Sequence, residues 1–267
     1  MNRCLFAAVN GVTMVVLAGA CTILPALPPE DSTSATGSAP SSTSTPVVWF
    51  PATSTATSEP RATAQPTADK KPGVGDVVLT DDFSSPSDWN TAVADEASVA
   101  ITDGGLTVAA QPGIAPVASF RQGIVFSDMY LEVTASPSLC RGADTYGLAF
   151  RAPNNVAYYR YAVACDGTAS ANRISLGSPR VLQPPTPSAD APVGAPGEVR
   201  LGVWAWHDEF RFFLNGRYQF TATDVSYPSG GIGVFAYAAG DTPVTVTFSA
   251  LSVYRLEGAP PVPTATP

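Results

Sequence analysis

The sequence predicts an all-β fold, a two-sheet antiparallel sandwich preceded by a disordered Ser/Thr/Pro stalk. Three observations carry that reading. Helical periodicity is nearly absent between residues 76 and 256, where β-branched and aromatic residues alternate with polar or small ones over short runs. Turn signals separate the runs, with "NG" at Asn215-Gly216 and "GG" at Gly230-Gly231. Before this region, "DSTSATGSAPSSTSTP" and "PATSTATSEPRATAQPTADKKPG" carry too little apolar surface to offset chain entropy, so 22–75 reads as an extended linker.

Taken in order, residues 1–20 read as a secretory signal. Arg3 supplies the positive start, and 5–18 form an apolar run too short, and too interrupted by Asn10 and Gly11, for a membrane span. The run "LAGAC" sets Ala18, Gly19 and Ala20 before Cys21 and resembles the lipobox of bacterial lipoproteins, with Leu17 one place further from the cysteine than the commonest pattern. That resemblance implies acylation of Cys21 and export to the extracytoplasmic face of a membrane, where two acyl chains suffice as an anchor. Ordinary cleavage to a free secreted protein and an uncleaved anchor are the alternatives. The linker 21–75 has the composition of an O-glycosylated stalk; its one apolar run, "VVWF" at 47–50, either docks on the folded part or is a chance cluster. The tail 257–267 repeats the linker composition.

Residues 76–256 are long enough for a full hydrophobic core in one domain. Both lysines, Lys70 and Lys71, fall in the linker, so the folded part is acidic with arginine as its only strong base. Such a surface argues against a nucleic-acid partner, which needs a basic face. Cys140 and Cys165 are an even pair inside an exported domain and read as a disulfide worth about 3–4 kcal/mol. One histidine and two cysteines do not make a zinc site.

Strands are expected at 98–101, 106–110, 114–120, 129–136, 146–151, 157–164, 173–176, 198–206, 209–214, 217–222, 231–239 and 244–256. Four stretches among them occur in a telling order: "DDFSSPSDW", "YGLAFRAPNNVAYYRYAVACDG", "VRLGVWAWHDEFRFFLNGRYQFTATD" and "YPSGGIGVFAY". In that order they resemble concanavalin A-like lectin/glucanase domains, and more narrowly the laminin-G-like and three-keto-disaccharide-hydrolase-like branch. The resemblance covers 81–256 and implies a jelly-roll sandwich. It does not select a function, because this fold hosts lectins, adhesion modules, hydrolases and structural units.

The chemistry is concentrated in "VWAWHDEFRFFLNG" at 203–216. No Glu-x-Asp-x-Glu run sets a nucleophile and an acid on one strand face, and no Gly-x-Ser-x-Gly elbow accompanies His207. A non-catalytic role is therefore expected, with His207, Asp208 and Glu209 at a hairpin turn. Alternation puts Leu201, Val203, Ala205, Phe210, Phe212 and Leu214 in the core and displays Trp204, Trp206, Arg211 and Phe213 on the outer face. The strand 157–164 sorts likewise, with Tyr158 and Arg160 outward, beside Arg151 and Glu132. Aromatic faces flanked by arginine and carboxylate suit sugar rings, so these eight residues form the expected ligand set, for carbohydrate or another surface ligand. Burial of the same side chains beneath a covering segment is the competing expectation. Glycoside hydrolysis, with Glu132 as the first acid, and a structural or adhesive module are the other readings. No cofactor is expected, although the loop acids Asp81, Asp82 and Asp88 are of the type that holds a structural calcium.

Overall fold

The computed structural model describes residues 69–102 and 104–258. The expected signal segment, Cys21, most of the linker with "VVWF", and 259–267 lie outside the described residues.

Fifteen strands and one 3-10 turn make up the sandwich. In chain order they are β1 (Val74–Asp81), the 3-10 turn (Pro86–Asp88), β2 (Ala92–Val93), β3 (Ala97–Thr102), β4 (Gly105–Ala110), β5 (Val117–Phe120), β6 (Met129–Leu139) and β7 (Thr145–Asn154). There follow β8 (Ala157–Ala164), β9 (Thr168–Ser175), β10 (Ser178–Pro187), β11 (Val199–Trp206), β12 (Glu209–Leu214), β13 (Arg217–Thr223), β14 (Gly231–Tyr237) and β15 (Val244–Leu256). One sheet runs β13-β12-β11-β6-β15-β4-β3-β2, with β1 lying along the last residues of β15 beyond the end of β4. The other runs β10-β9-β8-β7-β14-β5. The strand pairs are antiparallel, as the sequence predicts for a sandwich.

The alternation predicted for the hairpin is what builds the core. Leu201, Val203 and Ala205 of β11 and Phe210, Phe212 and Leu214 of β12 point inward, where they meet Tyr159, Tyr161 and Val163 of β8 and Phe150 of β7. Each fully buried aliphatic or aromatic side chain there contributes roughly 1.5–3 kcal/mol. The turn between β12 and β13 is the expected "NG", with φ of 50° at Asn215 and 78° at Gly216, the left-handed pair a two-residue hairpin requires. Cys140, after β6, and Cys165, after β8, form the predicted disulfide with Cα atoms 5.9 Å apart, tying one sheet to the other.

Three strands were not legible in the sequence. The longest, β10 (SPRVLQPPTP), is an edge strand paired only to β9, where proline's missing N–H faces no partner. The first, β1, begins inside the expected linker. Its entry is fixed when the Glu257 amide donates to the Gly73 carbonyl at 2.7 Å.

Candidate functional site

The outer face of the nine-stranded sheet carries the residues the alternation placed there, but it is not open. Trp204 is fully buried and Phe213 nearly so. Residues 70–72, expected in the linker, cross this face as a strap. The Trp204 indole donates to the Pro72 carbonyl at 2.9 Å, and Arg211 donates to the Lys70 carbonyl at 3.2 Å. The Lys71 ammonium lies 4.8 Å from the Tyr130 ring and 5.4 Å from Phe213, while Lys70 covers Tyr218 at 4.9 Å. Cations on aromatic faces are attractive, which draws both ammonium groups over this patch. Arg211 in turn stacks on Trp204 at 4.5 Å and pairs with Glu209 at 2.6 Å. The expected display of Trp204 and Phe213 is thus corrected: the chain's own strap occupies that surface. Trp206 stays half-buried, beyond the strap, with its ring 5.1 Å from His207.

Glu132 lies on the same face and is satisfied locally. It accepts hydrogen bonds from Tyr130 at 3.0 Å and Tyr254 at 3.1 Å, with Arg200 at 3.9 Å. Burial, reinforced by the Glu132 carboxylate, pushes the Tyr130 phenol far up.

Tyr158 and Arg160 face outward from the other sheet, so they share no surface with Glu132 or Trp204. Arg151 joins neither group. Its backbone is left-handed, φ 45°, at a bulge where the pairing of β7 with both β8 and β14 shifts register. The extra residue reverses the alternation and swings Arg151 to the end of the core, where it is buried over Phe210 at 5.1 Å. There it donates to the Ser127 carbonyl at 2.7 Å, to the His207 carbonyl, and to Asp128 at 3.0 Å. Burial lowers its pKa and the Asp128 carboxylate opposes that shift.

Around this arginine the loops at one end of the sandwich enclose a cleft of about 380 Å³, lined among others by Asp128, Arg151, His207, Asp208, Asp224 and Tyr227. Asp128 accepts from the His207 amide at 2.8 Å, which fixes the β11–β12 turn at the rim. Asp224 accepts from Tyr159 at 2.7 Å, Arg173 at 3.0 Å and the Ser226 amide at 2.8 Å. Burial would raise its pKa, yet the hydrogen bonds from Ser226, Tyr159 and Arg173 prevail and hold it below the usual value. Tyr227 is held by its hydroxyl on the Ile174 carbonyl at 2.9 Å, and the Asp208 side chain is exposed at the rim. Sequence alternation missed this cleft because a bulge and three separate loops build it.

The loop acids do not assemble as a cation site. Asp81 accepts from Trp89 at 3.0 Å and from Arg121 at 2.6 Å, and Arg121 also reaches Asp88 at 3.1 Å, so a guanidinium sits between these two acids. Asp82 instead caps the Ser84 amide at 3.0 Å. Among the described residues no three acid, histidine or cysteine side chains gather to hold a metal.

No protein-family model matches the chain, and no curated protein matches its sequence. Solved structures do resemble it. Carbohydrate-binding module CBM66 from Bacillus subtilis superposes with a TM-score of 0.52 at 18% identity, covering 63% of this chain and 96% of that one. SCLam, a non-specific endo-β-1,3(4)-glucanase of family GH16, gives 0.50 at 14% identity, covering 72% and 98%. At these identities the likeness establishes the fold, and the expected concanavalin A-like jelly roll is borne out.

Proposed function

We propose that this chain is an exported surface lipoprotein, anchored through Cys21, whose sandwich is a non-catalytic carbohydrate-binding module with its ligand in the end cleft. The observation that carries this reading is the convergence in one concave site of a fixed aromatic ring, Tyr227, with Asp128, Asp208 and the Arg151-braced turn of His207. A pyranose stacks its C–H face on a ring while carboxylates accept from its hydroxyls, and the cleft is within the size range of ligand pockets. Half-buried Trp206, against His207, extends the aromatic surface at the rim. The names of the two structural neighbours, a carbohydrate-binding module and a glucanase, agree with a sugar ligand.

The state of the carboxylates favours binding over hydrolysis. A glycosidase needs one carboxyl group that holds a proton for the leaving oxygen. Glu132 is tied by two tyrosine hydroxyls, Asp128 by Arg151, and Asp224 is kept ionised by its donors. Carboxylates whose oxygens are already engaged by donors are placed to accept hydroxyls and poorly placed to hand a proton to a leaving oxygen.

A glycan array probed with the mature protein tests the site. Specific binding that falls at least tenfold in Asp208→Asn and in Trp206→Ala, with unchanged unfolding midpoints, supports it. Absence of binding across the array refutes it, and release of new reducing ends from a bound polysaccharide replaces it with the hydrolase reading. Incorporation of labelled palmitate that Cys21→Ser abolishes tests the anchor.

A further inference from the structure

We infer that the outer face of the six-stranded sheet carries a second binding site, built around Arg160, for a carboxylate borne on a sugar ring. Arg160 stands mid-sheet on β8, opposite Ala149 of β7 and Asn172 of β9. Its guanidinium lies over the Phe235 ring at 5.1 Å. The positions around it on this face, Gly147, Ala149, Ala162 and Gly233, have no side chain beyond Cβ. A Cβ at Gly147 would meet the Tyr161 carbonyl at 2.1 Å, and one at Gly233 the Ser119 carbonyl at 2.5 Å, so neither glycine can carry a side chain, and the Arg160 side chain lies over a buried floor of small residues. Tyr158, edge-on to Phe120 at 5.3 Å, walls one side.

What marks this patch as a site is the missing counter-charge. The other well-covered arginines each meet a carboxylate: Arg121 at 2.6 Å, Arg151 at 3.0 Å, Arg173 at 3.0 Å and Arg211 at 2.6 Å. Half-buried Arg160 meets none among the described residues, and its Nε is cut off from water without a hydrogen-bond partner. A guanidinium partly removed from water and left unpaired is costly, and burial lowers the Arg160 pKa accordingly. An anion that takes the two terminal guanidinium nitrogens end-on supplies the missing charge.

The charge balance selects the anion. One arginine on an acidic, lysine-poor domain matches a single negative charge, whereas nucleic acids and densely sulfated chains require a basic field. A sparse carboxylate on a ring that reaches the accessible end of the guanidinium, with Asn172 on the neighbouring strand for a hydroxyl, fits. The sugar half of this inference rests on the carbohydrate reading above; the carboxylate half rests on Arg160 alone.

The test is calorimetric titration of the intact mature protein with trisaccharides of galacturonate, glucuronate and mannuronate and with their neutral counterparts, at low and high salt. Amide shifts locate the contact. The expected result is uronate binding that weakens with salt, shifts the amides of Ala149, Arg160 and Asn172, drops at least tenfold in Arg160→Gln, and drops severalfold in Arg160→Lys, which keeps the charge without the fork. Uronate binding unchanged in Arg160→Gln, no uronate binding at all, or shifts confined to 206–208 and 224–228 overturn the second site and leave the cleft reading standing. Equal binding by a glutamate-rich peptide overturns the sugar half. Uronates bound at Arg160 with no neutral sugar bound anywhere support the second site while removing the cleft reading.

Discussion

Trp204 and Pro72 are joined by a 2.9 Å hydrogen bond between residues 132 positions apart, from a fully buried indole to a carbonyl in what composition reads as linker. The bond makes the strap part of the folded unit. A chain beginning at residue 76 is therefore expected to unfold at least about 2 kcal/mol more easily than one beginning at 69, because Trp204, Phe213 and Tyr130 are bared. It should also bind a hydrophobic dye that the longer chain excludes. Trp204→Ala in the longer chain should cost about 3–5 kcal/mol. Urea unfolding of the three proteins measures both effects, and equal midpoints for the two chain lengths would show that the strap contributes nothing.

Arg151 depends on Asp128. With the arginine buried and its partner about a quarter exposed, Asp128→Asn leaves a desolvated cation short of its counter-charge. The expected loss is about 2–3 kcal/mol. Arg151→Met, which removes the buried charge itself, should cost less stability than its burial suggests while loosening the His207 turn and weakening any ligand of the cleft. A thermal-unfolding series with glycan affinities for the same variants separates the two consequences.

Asp224 gives the fold an acid limb. Its folded pKa lies below the unfolded value, so its stabilisation is fully present above the unfolded carboxylate range near pH 4 and is lost as pH falls through the lower, folded pKa. Asp224→Asn should lower stability at neutral pH and flatten the decline of stability below about pH 4. Unfolding free energies from pH 7 to pH 2 reveal the difference, and parallel curves for the two proteins would refute the assignment.

What could be read from the sequence divides along one physical line. Where strands are regular, the period of two sorted the residues without help: the faces of 199–206, 209–214 and 157–164 are as expected. Where regularity breaks, sorting fails. Arg151 follows Phe150 in a run that reads as continuous strand, and nothing local announces the bulge that turns it inward. The strap was missed because Lys70, Lys71 and Pro72 have linker composition; their attachment comes from aromatic residues 59 to 148 positions away. The cleft is invisible for the same reason, since 127–128, 207–208 and 224–228 meet only after the sheets close.

The disulfide supplies a test of how the sheets are held together. Cys140 and Cys165, 25 positions apart, follow strands of different sheets, and the Cys140 corner is further braced by Asp144. Asp144 accepts from the Arg141 amide at 2.9 Å and from the Ala239 amide at 2.9 Å, pinning the loop after β14 to the same corner. The covalent tie acts chiefly on the unfolded chain, where opening a loop of this length restores entropy worth about 3–4 kcal/mol. The Asp144 bonds act on the folded state and survive reduction. Reduced protein, or the double variant Cys140→Ala with Cys165→Ala, should therefore remain folded at 25 °C with its unfolding free energy lowered by that amount. Adding Asp144→Ala should cost a further 1–3 kcal/mol or so, since three amide donors in a buried corner lose their acceptor. Denaturant titrations under oxidising and reducing conditions provide the comparison. A double variant as stable as the parent would mean that the corner is held by Asp144 alone.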